Sequence, residues 1–573
     1  MAKMALKKSY KVKSLLRLLV SVVAVAAFYA LSSVLHFRID LTSDKLYTLQ
    51  PITREILKNL NGEVSMKIYL DGDLPTGFIR MKKMLTETLD EFKVASKGKV
   101  SYELVNPYRA KNSREQDRIF TGLYDKGLTP TSVQQRNKQG GSSQMVVFPG
   151  LLMSYKGKEM AVNLLKNNPM LSAEENLNLS IQNFEFALAD ALVKLSADTL
   201  PRIAFIQGHG ELDEFETGDI EKSLSEYFRV DRVMLNGDMK SLKPYGVAII
   251  AGPKRPFPEE DKLVVDQFIM RGGRVLWFID PVAVSMDSLS TGASTLAFVA
   301  QTNLDDMLFR YGVRLNPFIV QDLQCAVIPV NIAPSGQPSR FAPAPWPYFP
   351  LLIPPSNHPV TRNLNPILTR FVSPVDTVGE DYLVKKHYLL YTSATSRILQ
   401  VPLLVNLSEI EQPPNEQHFI NQHVPVAVEL EGNFTSVFNN RPLKGYNHGE
   451  PFGFRGKSPF TRMVVVADAD MVRNDVQHRP NGAYVLPLGY DRYTQQTYGN
   501  KELVMNLVKY LNDDNGIVNL RSREFKLRLL DRGKISQSRL AWQVVNTILP
   551  SLVLVLGGLI YFFIRKNHFS STK

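Results

Sequence analysis

The chain has 573 residues, 44% of them hydrophobic and 21% charged, a globular balance that excludes both a disordered chain and a polytopic transporter. Its formal charge of +12 does not read as a nucleic-acid footprint, because the basic excess gathers beside two apolar segments and no basic-aromatic groove pattern accompanies it. The single cysteine, Cys325, excludes an internal disulfide, a CxxC redox pair and any multi-cysteine metal site, and reads as a small buried apolar residue.

Residues 1–17 form a basic tail (Lys3, Lys7, Lys8, Lys11, Lys13, Arg17) ahead of an uncharged apolar run from Leu18 to Leu35. Ala24-Val25-Ala26 resembles a signal-cleavage site, but the apolar run continues too far for an ordinary signal core, so the reading is a first transmembrane helix at 18–36. The basic tail then belongs in the cytoplasm.

Residues 37–198 read as a first α/β unit. Pro51 sits in the first turn of a helix whose buried stripe is Ile52, Ile56, Leu57 and Leu60. Val64–Leu70 alternates as a strand, Phe78–Ser96 has helical periodicity and ends before Gly98, and Val100–Val105 is the next strand. A polar stretch from Ala110 to Ser143 follows, with Gly140-Gly141 as a hairpin tip. Met145–Tyr155 and Glu159–Leu165 read as strands and Ile181–Leu195 as a closing helix. The order β-α-β then β-β-α is thioredoxin-like, and without a cysteine pair its use is structural or binding.

Residues 200–520 read as a second unit. Strands at Arg202–Ile206, Arg229–Leu235, Val247–Ala251 and Arg274–Ile279 alternate with helices at Thr217–Tyr227 and Glu259–Met270. That alternation predicts a parallel, doubly wound sheet of the Rossmann or flavodoxin kind. An insertion at about 329–460 opens with a proline-dense stretch, PAPWPYFPLLIPP at its centre, read as an ordered crossover or partner loop because proline suits neither helix nor central sheet. Strands resume at His387–Tyr391, Val401–Val405 and Val424–Leu430. The strand Arg462–Ala467 and the helix Lys501–Leu511 complete the sheet.

A basic juxtamembrane segment at 521–540 contains Arg521, Arg523, Lys526 and Arg528. With Trp542 just beyond, these are candidate membrane or partner contacts, against a plain solvated linker. Trp542–Ile564 carries no charge and is long enough to cross a bilayer core of roughly 30 Å, so it is the second transmembrane helix, followed by a basic tail at 565–573. Two spans return both termini to the cytoplasm and leave the body periplasmic. The basic run at 521–539 lies on the disfavoured side, which long translocated loops tolerate.

Candidate chemistry sits on the strand ends of the second unit. His209 and Glu211 in Gly208-His-Gly-Glu211 fit an acid–base pair or two metal ligands, against a glycine-rich strand-to-helix turn. Zinc needs three or four ligands and no HExxH accompanies them. Asp280 closes the strand at Arg274–Ile279, and Asp468 and Asp470, with Asp475 beyond, fit a hard-cation site or a solvated capping turn. The segment Gly453-Phe-Arg-Gly456-Lys457-Ser458 lacks the first glycine of a phosphate loop, and Pro459 opposes the helix such a loop requires. No GxSxG elbow occurs. No catalytic residue, metal site or cofactor is assigned.

FRIDLTSDKLYTLQPITREIL, IYLDGDLPTGF, IAFIQGHGELDE, GGRVLWFIDP, VVVADADMVRND and GNKELVMNLVKYLND occur in this order along the chain. Together they resemble the GldG family, gliding-motility-associated auxiliary components of ABC transporters in Bacteroidetes. The second unit also resembles the domain such proteins share with an intraflagellar-transport protein. The resemblance implies a substrate-binding-like auxiliary subunit whose partners are a polytopic permease and a cytoplasmic ATPase. It brings no catalytic residues. Cytoplasmic tails this short leave no room for an ATPase, which agrees with that expectation. Two alternatives stand beside it: an extracytoplasmic hydrolase or amidotransferase-like enzyme built around His209, Glu211 and Asp280, and an envelope scaffold for a gliding motor.

Overall fold

A computed structural model describes chiefly residues 18–27, 48–522 and 537–570, without short stretches of which 137–141, 290–292, 334–336, 380–383 and 442–452 are the longest. Residues 1–523 form one compact unit and 524–573 a second. The elements used below are α1 (Pro51–Lys58), β1 (Val64–Ile68), α2 (Thr76–Ala95), β2 (Val100–Leu104), α3 (Ser113–Asp125), β3 (Thr131–Arg136), β4 (Ser142–Val147), β5 (Gly150–Tyr155), β6 (Lys158–Asn163), α4 (Ala173–Gln182) and α5 (Phe184–Ser196).

Four of these strands make a sheet in the order β2-β1-β5-β6, with β1 parallel to β2 and antiparallel to β5. Val64, Met66 and Ile68 alternate into the core. They meet Phe78, Met81, Leu85, Leu89 and Phe92 of α2, whose spacing of three and four lays one stripe along the helix.

Three features differ from the sequence reading. The strand expected at Met145–Tyr155 is two: β4 pairs with β3 and β5 with β1, and the break falls at Phe148-Pro149, where proline has no N–H for a ladder. The polar stretch contains α3, whose Asn112 side chain accepts from the Glu115 N–H at 2.9 Å. The closing helix is α4 and α5, joined at Asn183, and α4 starts with a reciprocal box in which Ser172 and Glu175 cap each other. The hairpin tip Gly140-Gly141 lies outside the described residues.

The second part comprises β7 (Arg202–Gln207), α6 (Gly218–Leu224), β8 (Arg229–Met234), β9 (Val247–Ala251), α7 (Glu259–Met270), β10 (Arg274–Phe278), α8 (Asp305–Tyr311), β11 (Cys325–Asn331), β12 (Phe341–Leu352), β13 (Val384–Tyr391), β14 (Pro425–Thr435), β15 (Lys457–Val466) and α9 (Asn500–Asn512). Seven strands form one mixed sheet in the order β13-β14-β15-β10-β9-β7-β8. The strands from β15 to β8 run parallel, and β14 and β13 extend the edge antiparallel. Two strands of the expected insertion thus join the sheet.

Both faces of the sheet are buried, and alternate residues divide between them. Phe205, Ile249, Leu276 and Val464 pack on one side with Leu503, Val504 and Leu507 of α9. Ile206, Ile250, Trp277 and Val465 pack on the other with Leu263 and Ile269 of α7. That is why these strands read as continuous apolar runs rather than as alternating ones.

The proline-dense stretch is a strand rather than a loop. β12 runs antiparallel to β11 with Pro343 opposite Pro329 and Ala344 opposite Ile328. A hydrogen-bonded pair needs an N–H from each residue, so two opposed prolines must occupy a non-bonded pair. Alternate prolines therefore leave the ladder through the intervening residues intact. Trp346, Tyr348 and Phe349 are buried and form an aromatic cluster with Phe371.

The two α/β parts are joined within the first compact unit. Lys509 of α9 pairs with Asp190 of α5 at 2.8 Å and lies 3.5 Å from the centre of the Tyr227 ring. Lys166 pairs with Glu502 at 3.0 Å. In the other unit, α10 (Arg539–Ser570) contains Pro550, and 29 residues, Arg539–Asn567, are long and apolar enough to cross a membrane. At the opposite end a short apolar helix, Leu18–Ala27, is described, and apart from Tyr29 the rest of the expected first span lies outside the described residues.

Two leucines separate packing from composition. Leu276 is fully buried in β10, so Leu276→Ala is expected to cost about 2–5 kcal/mol by urea denaturation. Leu296 is 55% exposed, and Leu296→Ala should stay within about 0.5 kcal/mol. Equal costs would contradict the burial of the central sheet.

Candidate functional site

In the parallel part of the sheet the winding reverses at β7, whose neighbours are β8 and β9. In sheets wound this way ligands enter the crevice at the carboxyl ends of the strands where that reversal occurs. Here the crevice holds the Gly208–Glu211 turn. The Leu212 N–H donates to the Ala251 carbonyl at 2.9 Å, and the Lys254 and Arg255 N–H groups donate to the His209 carbonyl at 2.9 and 2.8 Å. Gly208 and Gly210 have φ of +122° and +77°, the left-handed values that let so tight a turn form.

The His209 ring is only 4% exposed and stacks on Phe257 with ring centres 3.6 Å apart. Its Nδ1 lies 2.9 Å from Glu211 Oε1 and its Nε2 lies 2.9 Å from Asp261 Oδ2. The second oxygen of Glu211 accepts from the His209 N–H at 2.7 Å, and the second oxygen of Asp261 accepts from the Gly237 N–H at 2.7 Å. Burial alone would push the imidazole down, but the hydrogen bonds to Asp261 and Glu211 outweigh it and raise His209 to about 9. Asp261 moves the other way: burial favours its neutral form, yet its bonds to His209 and the Gly237 N–H hold it below the usual carboxylate range. An imidazolium with both nitrogens engaged and its face covered is a clamp. It has no free nitrogen with which to take a proton from a substrate.

Asp280, Asp468 and Asp470 come together where β10 and β15 end side by side. Asp280 accepts from the Ala469 N–H at 2.6 Å, and Asp468 accepts from the Asp470 N–H at 2.8 Å and the Arg370 N–H at 2.9 Å. Asp468 is wholly buried, so the solvated turn offered as the plain alternative is instead a buried cap on a short 3-10 turn at Ala469–Val472. Arg473 bridges Asp470 and Glu216, and Arg370 pairs with Asp475. Burial and the Asp470 charge push Asp280 up to about 7 although some of its surface is exposed, and burial with the Asp470 and Asp280 charges raises Asp468 well above the usual carboxylate range. Among the described residues no group of three or more His, Cys, Asp or Glu side chains is arranged to hold a metal ion.

Beside this cluster lies a cavity of about 660 Å³ walled by Arg370, Arg473, Phe349, Tyr490 and Tyr498. The His209–Glu211 clamp and the aspartate cluster occupy separate strand ends, and no described hydrogen bond or ion pair links His209 to Asp280. Ser458 of the expected non-site at Gly453–Ser458 lies in β15, so no helix follows it. Trp542 is half-exposed on α10, Arg521 lies in a 3-10 turn, and Arg523, Lys526 and Arg528 lie outside the described residues. Sequence reasoning missed Asp261, which looked like one of three acids favouring the start of α7, and it missed Arg370 and Arg473, whose partners are distant in sequence.

Both groups make stability depend on pH with the same sign. A raised histidine contributes stability fully present below about pH 6.5 that is lost as pH rises through 9. A raised aspartate contributes relative stability lost as pH rises from about 4 to 7. His209→Ala leaves two buried carboxylates unpaired and is expected to cost about 3–5 kcal/mol near pH 6. It should also flatten the decline in melting temperature between pH 6.5 and 9. Asp280→Asn should flatten the decline between pH 4 and 7. Slopes identical to the parent chain would contradict the assignments.

A family model described as an ABC-type uncharacterized transport system, of the ABC auxiliary kind, matches residues 200–507, more than half of the chain. A domain of unknown function matches residues 43–154. An uncharacterized protein of Borreliella burgdorferi is 21% identical over 562 residues, covering 96% of this chain and 97% of that one. Among solved structures, the mmIFT52 N-terminal domain is 13% identical over 55% of this chain and 98% of its own, with a TM-score of 0.31. The exo-beta-1,4-mannosidase Op5Man5 of Opitutaceae bacterium strain TAV5 is also 13% identical, covering 51% of this chain and 43% of its own with a TM-score of 0.14. Both scores are too low for a shared fold to be claimed. The family match spans the strand ends that carry His209, Asp280 and Asp468, and the chain belongs to this ABC-type transport system auxiliary family.

Proposed function

We propose that the chain is a non-enzymatic, membrane-anchored auxiliary subunit working beside an ABC permease and a cytoplasmic ATPase. The observation that carries this reading is the closed crevice: where the winding of the sheet reverses, the His209 turn is bonded to the next strand's loop and the imidazole is taken up by Glu211 and Asp261. The family match supports an auxiliary role in transport, and the apolar helix Arg539–Asn567 supports membrane association. The finer reading is a GldG-like component of the gliding or linked secretion machinery of Bacteroidetes, held in the inner membrane by two helices. Its termini are cytoplasmic and its body, with thioredoxin-like and doubly wound parts, is periplasmic. A substrate-binding-like role fits the cavity of about 660 Å³ beside the aspartate cluster, which is of small-molecule size.

Pull-down of the tagged full-length chain from mild detergent is expected to recover a permease and an ATPase together, and recovery of neither would sink the proposal. The hydrolase or amidotransferase-like alternative is separated by the paired change His209→Gln, Glu211→Gln. On our reading any loss of gliding or secretion follows the loss of folded protein. Complete loss of function at parental abundance and melting temperature would favour the enzyme.

A further inference from the structure

A second cavity, of about 970 Å³, opens beside the other end of the strand-end loops, between α8, the turn at Gly312–Pro317, Lys386 of β13 and the residues that follow β14. Four cations and two carboxylates line it: Arg310, Arg314, Lys386 and Arg441 against Asp305 and Asp306. Most of these charges are already answered. Arg314 pairs with Asp376 at 2.6 Å, and Arg441 pairs with Glu259 and Asp306 at 3.1 and 2.8 Å. Asp306 also takes the buried ammonium of Lys262 at 2.7 Å.

Arg310 and Lys386 are different. Among the described residues neither has a carboxylate within ion-pair distance. Lys386 donates to the carbonyls of Val378 and Gly379, the latter at 2.6 Å, and neutral acceptors fix the ammonium without cancelling its charge. Gly312, in the left-handed conformation at the end of α8, lets this side chain pass: a Cβ there would stand 2.9 Å from Lys386 Cε. Asp305 also lines the cavity, and burial and the neighbouring Asp306 raise its pKa. The rest of the wall mixes polar residues (Thr302, Ser436, Asn439 and Asn440) with apolar ones, among them Val299 and Phe309, each about half-exposed, and Leu315, which is buried. Half-exposed apolar surface beside cations that have no carboxylate partner among the described residues is complementary to an amphipathic anion.

We propose that this cavity binds a soluble amphipathic anion, a carboxylate or phosphate head against Lys386 and Arg310 with an acyl or aryl body along Phe309, Val299 and Leu315. The size suits it, since ligand cavities commonly enclose about 300–1,000 Å³. The site is separate from the His209 turn and does not depend on the transport reading.

The test is calorimetric titration of the full-length chain, in uncharged detergent, with octyl phosphate, octanol and inorganic phosphate. Octyl phosphate is expected to bind at least about ten-fold more tightly than either half-ligand, the affinity step of one charge-assisted contact. Lys386→Met should weaken it about ten-fold and Arg310→Gln about three- to ten-fold. Because Lys386 also holds a turn, the exposed changes Arg310→Gln and Phe309→Asp, checked for an unchanged melting temperature, decide the matter if Lys386→Met unfolds. Octanol binding as tightly as octyl phosphate would overturn the role of the cations, and inorganic phosphate binding as tightly would overturn the apolar half. No binding, or binding indifferent to these variants, would overturn the site.

Discussion

One buried cation governs the strand-end face of this protein. His209 lies between Glu211 and Asp261 on a turn that is itself bonded to the loop after β9. Each carboxylate gives its second oxygen to a backbone N–H, so the three residues also fix the turn at His209 and the loop at Gly237. In the low dielectric of a buried site such a network is costly to leave partly paired. The consequence is architectural: α7, through Asp261, and the turn after β7 are held together across the place where a comparable sheet would admit a ligand.

The sheet makes this arrangement possible. Its central parallel strands bury both faces, so polar groups on them collect at their ends, where backbone N–H groups of the connecting turns are available to receive carboxylates. Asp280 and Asp468 illustrate the cost. Each gains such N–H groups, yet with Asp470 close by their burial is only partly offset by Arg370 and Arg473. These arginines also wall the neighbouring cavity, so whatever occupies it meets side chains already coupled to the sheet. Chemistry at the carboxyl edge is therefore constrained from within.

The central strands were legible because two-sided burial makes them short apolar runs: Val247–Ala251 coincides in sequence and structure, and the strand read at Arg274–Ile279 is observed at Arg274–Phe278. The helix α3 was obscured because Leu123 is its sole buried residue, too few to show a stripe, although Asn112 ahead of it was a usable cap signal. The Ser172–Glu175 box before α4 was likewise written in the sequence and overlooked. The proline strand β12 could not be read locally, since its prolines are tolerated only by a register with β11 that depends on tertiary pairing. At the candidate site, glycine spacing exposed the His209 turn. Asp261, 52 positions away, was invisible because nothing local distinguishes a clamp partner from an acid at a helix start.

The clamp at the sheet's reversal depends on the state of one imidazole, His209. Selective isotope labelling of the histidines in the full-length chain, with His209→Asn to assign the signal, follows the ring nitrogens by NMR across pH 5 to 10. The structure predicts that the His209 imidazole stays protonated through neutral pH and titrates near 9, with both N–H protons protected from solvent. A midpoint near 6.5 with rapidly exchanging protons, the behaviour of an accessible histidine, would contradict it.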